Sequence, residues 1–354
     1  MLITTSTQVI SSNLNFQNDF KKLSTNIIFV DQNNTNGPWD GSYHNPFRKI
    51  SDGIAIAKND DIIYILKGEY KEQITIDKKL LIIGEDKKDT IINSNYSDFG
   101  IKIITDHVRI EKLTIKNSGG YKENSAININ GNDNKISECI IKRAKVGIFL
   151  NNSYENTIEN ITMYLCGKGI YIKNSQQNKI TKSEICHSGI GLNIINSENN
   201  NIIETYIHEC GVAFYLYNSS NINFEKSAIS DNNDNGGGGQ IQDSNNVFVD
   251  NCNFLHNGFG LRIINSKEVE IKNSDFKNIT HFAVWLEEGS ENIFIENSEL
   301  INNFRHCIYL KNSHCIVKRS NLYENLIDST YFENSLIIAK NNYWGGIFGP
   351  LFNK

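Results

Sequence analysis

The sequence predicts an all-β solenoid, in which short strands wind into coils that stack on one another, and three observations predict it. The first is a repeat. Asn152-Ser153, Asn174-Ser175, Asn196-Ser197 and Asn218-Ser219 follow one another at intervals of 22 residues. Related pairs continue at Asp243-Ser244, Asn265-Ser266, Gly289-Ser290, Asn312-Ser313 and Asn334-Ser335, at intervals of 25, 22, 24, 23 and 22, and Asn130-Gly131 lies 22 before Asn152. The second is alternation with period 2 inside each unit, as at Ile148-Phe149-Leu150 and Ile170-Tyr171-Ile172, with no helical stripe. The third is composition: 53 asparagines and 25 glycines against three prolines, interleaved throughout with Ile, Val, Phe and Tyr. Such interleaving suits many strands and many tight turns rather than disorder.

One unit, "NSQQNKITKSEICHSGIGLNII" from Asn174 to Ile195, holds a short segment at "NKI", a second around Glu184 and Ile185, and a strand at "IGLNI". Three strands in about 22 residues make one coil. A coil cannot bury its own apolar face, but a stack of coils can. Eleven or twelve coils at strand spacing give a rod roughly 55 Å long. The Asn column belongs at the corners, because Asn tolerates left-handed backbone angles and stacked amides hydrogen-bond from coil to coil.

The ends of such a rod expose strand edges and need covers. In "NPFRKISDGIAIAKNDD", Asn45 reads as an N-cap, Pro46 as the first helical residue, and Phe47, Ile50 and Ile54 as one apolar face. A capping helix is expected over about 45–59. At the far end Tyr343, Trp344, Phe348 and Phe352 are expected to plug the last coil, over about 341–354. Residues 1–26 read as an N-terminal extension and 27–354 as the solenoid domain. "MLITTSTQVISS" fits the tail of a signal segment or a cytosolic start.

Net charge is −5, with 35 basic and 40 acidic residues and no basic block, which disfavours nucleic acid as a partner. No run of 18 apolar residues marks a transmembrane helix. Seven cysteines, an odd number with no CxxC pair, read as buried thiols rather than disulfides or a zinc site. The residues imply no resident metal or cofactor and leave the oligomeric state open.

The segment "IIFVDQNNTNGPWDGSYHNPFRKISDGIAIAKNDDIIYILKGEYKEQITIDKKLLIIGE", the repeats of the "GIYIKNSQQNKI" type and the ending "NNYWGGIFGP" resemble right-handed parallel β-helix proteins of the pectate lyase-like superfamily. The repeats are similar to those of its NosD-like and its carbohydrate-binding and sugar-hydrolase members. The resemblance implies a single right-handed parallel β-helix over about residues 27 to 350. Its members include lyases, glycoside hydrolases, epimerases, adhesins and copper-linked periplasmic NosD proteins. Neither the acidic triplets of polygalacturonase-type hydrolases nor the Asp-Pro-His motif of alginate epimerases is found. The NosD likeness brings His187, His208, His256 and His281 forward as alternative copper ligands.

Aligning the coils gives an outward ladder: Asn128, Phe149, Tyr171, Asn193, Tyr215, Gln240, Arg262, Trp285 and Tyr309. A small-residue ladder beside it, Gly147, Gly169, Gly191, Ala213, Gly238, Gly260, Ala283 and Cys307, is expected to leave a shallow groove. Rings in a row stabilise a sheet by cross-strand packing. They also stack on the apolar face of a pyranose, whose hydroxyls Asn, Gln and Arg can meet. Both readings stand at this point. On the second, Phe149, Tyr171, Asn193, Tyr215, Gln240, Arg262, Trp285 and Tyr309 bind a glycan.

A corner column, Arg143, His187, Glu209, Asp231 and His256, flanks the same strands. The run Gly236 to Gly239 falls in the one 25-residue interval, beside Asp231 and Gln240, and reads either as a widened subsite or as a tolerated bulge. If the site is catalytic, Arg262 neutralises a uronate carboxylate while Tyr215 or His187 takes the proton. In a hydrolase, Glu209 and Asp231 are the acid and base. The expected function is binding, with processing as its extension, of an extracellular or cell-envelope polysaccharide by a secreted, envelope or periplasmic protein. The competing classes are a structural surface protein and a NosD-like copper-site maturation factor.

Overall fold

A computed structural model describes residues 26–119, 124–233, 236–327 and 330–345. The strands form three parallel sheets of 14, 12 and 11 strands. Sheet A runs from Ile27–Val30 to Leu336–Lys340, sheet B from Gly68–Tyr70 to Glu299–Ile301, and sheet C from Ile74–Ile76 to Thr330–Glu333. Each full coil contributes one strand to each sheet in turn, as Lys135–Ser137, Ile140–Ala144 and Val146–Asn151 do.

The 22-residue interval places identical side chains over one another. Ile110, Ile136, Ile158, Ile180 and Ile202 pair in register along sheet A and are fully buried. One continuous apolar core fills the rod, from Ile28 to Leu322.

The corners explain the asparagines. Asn152, Asn174, Asn196 and Asn218 all have positive φ, between 46° and 50°, a conformation Asn adopts more readily than most residues. Their amides form an outer chain, Nδ2 of Asn218 donating to Oδ1 of Asn196 at 2.9 Å and Asn196 to Asn174 at 3.3 Å. A second chain is buried: Asn156 Nδ2 donates to Asn178 Oδ1, and Asn178 Nδ2 to Asn200 Oδ1, each at 3.0 Å. The serines complete the corners, each hydroxyl accepting from the backbone N–H of the preceding coil, as Ser175 does from Ser153.

The N-terminal cover is smaller than expected. The helix, α1, spans Ile50–Ile56 rather than 45–59. Asn45 and Pro46 lie ahead of it, because Phe47 is drawn into backbone hydrogen bonds with Phe29 and Asp31 of the first strand and its loop. The Glu72 carboxylate accepts from the N–H groups of Ile50 and Ser51 and takes the part assigned to an N-cap side chain. Ile50 and Ile54 are buried and Phe47 packs partly on the core. At the other end Trp344 packs on the core and Tyr343 meets Tyr323 edge-on, while Phe348 and Phe352 lie outside the described residues.

All seven cysteines are buried, and none is in a disulfide. Among the described residues no helix is long and apolar enough to cross a membrane.

Candidate functional site

The outward ladder of sheet C exists residue for residue. Asn128, Phe149, Tyr171, Asn193, Tyr215, Gln240, Arg262, Trp285 and Tyr309 pair coil by coil. Tyr331 extends it by one coil. Its environment changes along the rod. Phe149, Tyr171 and Asn193 are 3%, 5% and 2% exposed. The Phe149 and Tyr171 rings stack at 4.9 Å and form, with Val146 and Ile195, an apolar cluster separate from the main core. As folded, these three residues present no open face. Tyr215, Gln240, Arg262, Trp285 and Tyr309 are half-buried, and Tyr331 is exposed.

A parallel column three residues earlier borders the ladder, and the sequence reading missed it. It runs Val146, Lys168, Ile190, Val212, Gly237, Phe259, Phe282 and His306. In its later half it joins the ladder in one pavement of rings. Trp285 meets Phe259 at 5.2 Å and Phe282 at 5.4 Å, and Phe282 stacks on Tyr309 at 4.7 Å. Tyr309 stacks on Tyr331 at 5.0 Å, and His281 and His306 border the cluster. The signal was available in the sequence: Phe259, Phe282 and His306 each stand three residues before a ladder position.

Polar groups on this face are fixed. The Tyr215 hydroxyl donates to Gln242 Oε1 at 3.1 Å, and Gln240 Nε2 donates to the same oxygen at 3.2 Å. Burial and the neighbouring Tyr217 and Asp243 push the Tyr215 phenol pKa up, so it remains a donor at neutral pH. The Arg262 guanidinium lies 4.3 Å over the Trp285 ring and donates from Nε and Nη2 to Glu287 Oε1, with Nε at 2.7 Å. The Trp285 Nε1 and Asn193 Oδ1 atoms are buried with no hydrogen-bond partner among the described residues.

The small-residue ladder does not form a groove. Ala213, Ala283 and Cys307 are fully buried. A Cβ on Gly169 or Gly191 would strike the backbone oxygen of the next coil and a core isoleucine. These positions are small because the strand start turns inward against the coil above.

The four-glycine run is closely packed rather than open. A Cβ on Gly236 would overlap the Gly211 oxygen, one on Gly238 the Gly260 oxygen, and one on Gly239 the buried Phe214 ring. Gly237 has φ +81° against the Phe259 backbone, where an L side chain would be strained. On the outer face its effect is one missing side chain between Val212 and Phe259.

The corner column is also real, and His187, Glu209, Asp231 and His256 in it have partners. His187 Nε2 lies 3.1 Å from Glu209 Oε2, and His208, between two carboxylates, lies 3.2 Å from Glu209 and 3.3 Å from Glu184. Asp231 faces His256 at 3.4 Å, and His256 meets Asn278 at 3.2 Å. No hydrogen bond or ion pair among the described residues joins Glu209 or Asp231 to Tyr215 or Arg262. All four corner residues from His187 to His256 have positive φ, but so do Arg143 and Leu165, so that conformation is a property of the corner. Among the described residues no group of three or more His, Cys, Asp or Glu is gathered as a metal site requires. On sheet B, beside Tyr206 stacked on His208 at 4.2 Å, Ala228 and Ser230 leave a depression of about 430 Å³.

The repeats match the family model described as right handed beta helix region over residues 81–190, 146–237 and 235–348. The chain belongs to this family. Solved structures similar to this β-helix include the catalytic unit of a thermostable GH87 α-1,3-glucanase from Streptomyces thermodiastaticus strain HF3-3. That match has a TM-score of 0.71 and 14% identity, and covers 82% of this chain and 64% of the glucanase unit. A GH136 lacto-N-biosidase from Eubacterium ramulus matches with a TM-score of 0.62 at 8% identity, over 94% of this chain and 70% of that one. Pectate lyase Pel9A matches with a TM-score of 0.54 at 16% identity, over 78% and 80%. At these identities the likeness shows the fold. Among curated proteins none matches the sequence.

Proposed function

We propose that this β-helix protein binds a polysaccharide, laid along the outer face of sheet C from Tyr215 to Tyr331, outside the cell or in its envelope. The carrying observation is preorganisation. The Tyr215 phenol and the Gln240 and Gln242 amides are held by one another, and the Arg262 guanidinium by Glu287 and Trp285, so a glycan would meet an ordered surface. Five coil steps at strand spacing give a track of about 24 Å. An extended saccharide lying along the rod axis would meet a new set of side chains at every coil. Solved structures of similar fold include a glucanase, a biosidase and a pectate lyase, which is consistent with a saccharide ligand.

Processing is the second reading, favoured by the Glu184, His187, His208 and Glu209 cluster at the neighbouring corner. These groups hold carboxylates and imidazoles in contact, the materials of acid–base catalysis. A glycan array followed by product analysis on its hits tests both readings. Binding without product is expected. Products that vanish in Glu209→Gln would favour processing. Silence across neutral and acidic glycans would favour a structural surface protein.

A further inference from the structure

On the basis of the binding face proposed above, we propose that this face selects uncharged glycans and that Glu287 enforces the selection. Arg262 is the cation on the ladder that a uronate would seek. Its Nε and Nη2 donors both converge on Glu287, and its flat face lies on Trp285. The Glu287 side chain is 13% exposed and that of Arg262 34%. A carboxylate taking the Nε–Nη2 edge of Arg262 would have to displace Glu287 and leave it mostly buried without its partner, which is strongly unfavourable. The next cation on this face, Lys311, is engaged by Glu333 at 3.3 Å. Arg305 stands on the turn before the pavement rather than in it. What remains facing a ligand is phenols of Tyr215, Tyr217, Tyr309 and Tyr331 and amides of Gln240 and Gln242, with the imidazoles of His281 and His306 at the border. These donate to and accept from hydroxyls, while the rings cover apolar C–H faces.

Specificity here is a penalty against the wrong ligand rather than a gain for the right one. Removing the penalty should therefore create acidic-sugar binding. The experiment compares neutral oligoglucosides with oligogalacturonates of equal length, by calorimetry, on wild-type protein and Glu287→Gln. Folding of each variant is checked by its thermal unfolding. Wild-type protein should prefer its best neutral ligand by about tenfold or more over any oligouronate. Glu287→Gln should gain about tenfold or more for oligouronates, in a salt-sensitive way, and this gain should exceed any change in its affinity for neutral ligands. Adding Arg262→Gln to Glu287→Gln should abolish the gain. Wild-type protein that binds oligouronates as well as neutral chains would overturn the selectivity and leave the binding face standing. So would a Glu287→Gln variant that gains nothing. No binding to either class would remove the binding face and this inference together.

Discussion

Phe149 and Trp285 occupy the same column in the same register, and truncating each should have opposite consequences. Phe149 is 3% exposed, stacked on Tyr171 at 4.9 Å, and enclosed with Val146 and Ile195. Phe149→Ala removes a buried ring and leaves a cavity, at a cost of about 3–5 kcal/mol. Trp285 is half-buried, so area scaling puts Trp285→Ala nearer about 2 kcal/mol in stability. Its loss also strips Arg262 of its stacking surface and opens the pavement between Phe259 and Tyr309. A contact of this kind is worth about 1.4 kcal/mol or more in binding, roughly tenfold in affinity. Urea midpoints and calorimetric titration with a ligand found on the glycan array separate the two effects. Phe149→Ala should shift the midpoint strongly and bind as wild type once folded. Trp285→Ala should shift it less and lose affinity. Intact binding in Trp285→Ala would refute the platform, and so would two variants with matching stability losses and no binding change.

Four other outcomes follow from the coils. Asn178→Ala removes the acceptor of the Asn156 backbone and side-chain donors and the donor to Ser153, so it should cost about 3–6 kcal/mol by urea unfolding. Asn174→Ala on the exposed outer chain loses only exposed hydrogen bonds but sets Ala at a positive φ, and should cost about 1–2 kcal/mol, less than Asn178→Ala. Burial pushes the thiols of Cys139, Cys166, Cys252 and Cys315 up to about 12 and that of Cys210 up to about 11, against 9.0 ordinarily. Above about pH 9 the unfolded chain therefore releases protons that the folded chain retains. Stability should be unaffected by these thiols below that pH and fall above it, by up to about 1.4 kcal/mol per thiol per pH unit, and Cys139→Ala should flatten the slope of urea midpoint against pH. Gly239→Ala places a methyl in the Phe214 ring and should lower the melting temperature more than Gly289→Ala, where a Cβ meets nothing within 4 Å but the positive φ still strains it.

The coil and the ladder were legible because both are carried by spacing. A 22-residue interval sets one coil over the next, and period 2 sets which side chains face out, so the register held even across the 25-residue interval, from Tyr215 to Gln240. Depth was less legible. Phe149 and Tyr215 look alike in the ladder, and only the surrounding side chains decide which is sealed. The small column misled because Gly169 and Ile170 are consecutive buried residues at the strand start, where simple alternation breaks. The Arg262 partner was hidden for a similar reason: Glu287 is 25 residues on, in the next coil and one outward position along. The helix start failed because Phe47 was counted for helix when strand pairing with Val30 claims it.

The glycine run shows how a long interval is absorbed without breaking the face. The coil that carries it must fit around an unusually aromatic stretch of core. There Phe214 stacks on Phe224 at 4.3 Å and Phe254 on Phe276 at 4.5 Å. In sheet C the inward position beside Phe214 is Gly239, followed by Leu261. A ring on one coil thus takes the volume that a side chain on the next would fill, and only glycine leaves it free. Gly238 makes the same concession to the Gly260 backbone and the Phe254 ring. With both residues fitted, the strand resumes with Gln240 in line with Tyr215 and Arg262, so the outer ladder continues through the longest interval. The core therefore accounts for the glycines, and the outer face receives a by-product. At Gly237 the flanking column has no side chain, and the Phe259 backbone and Cβ fill the space where one would begin.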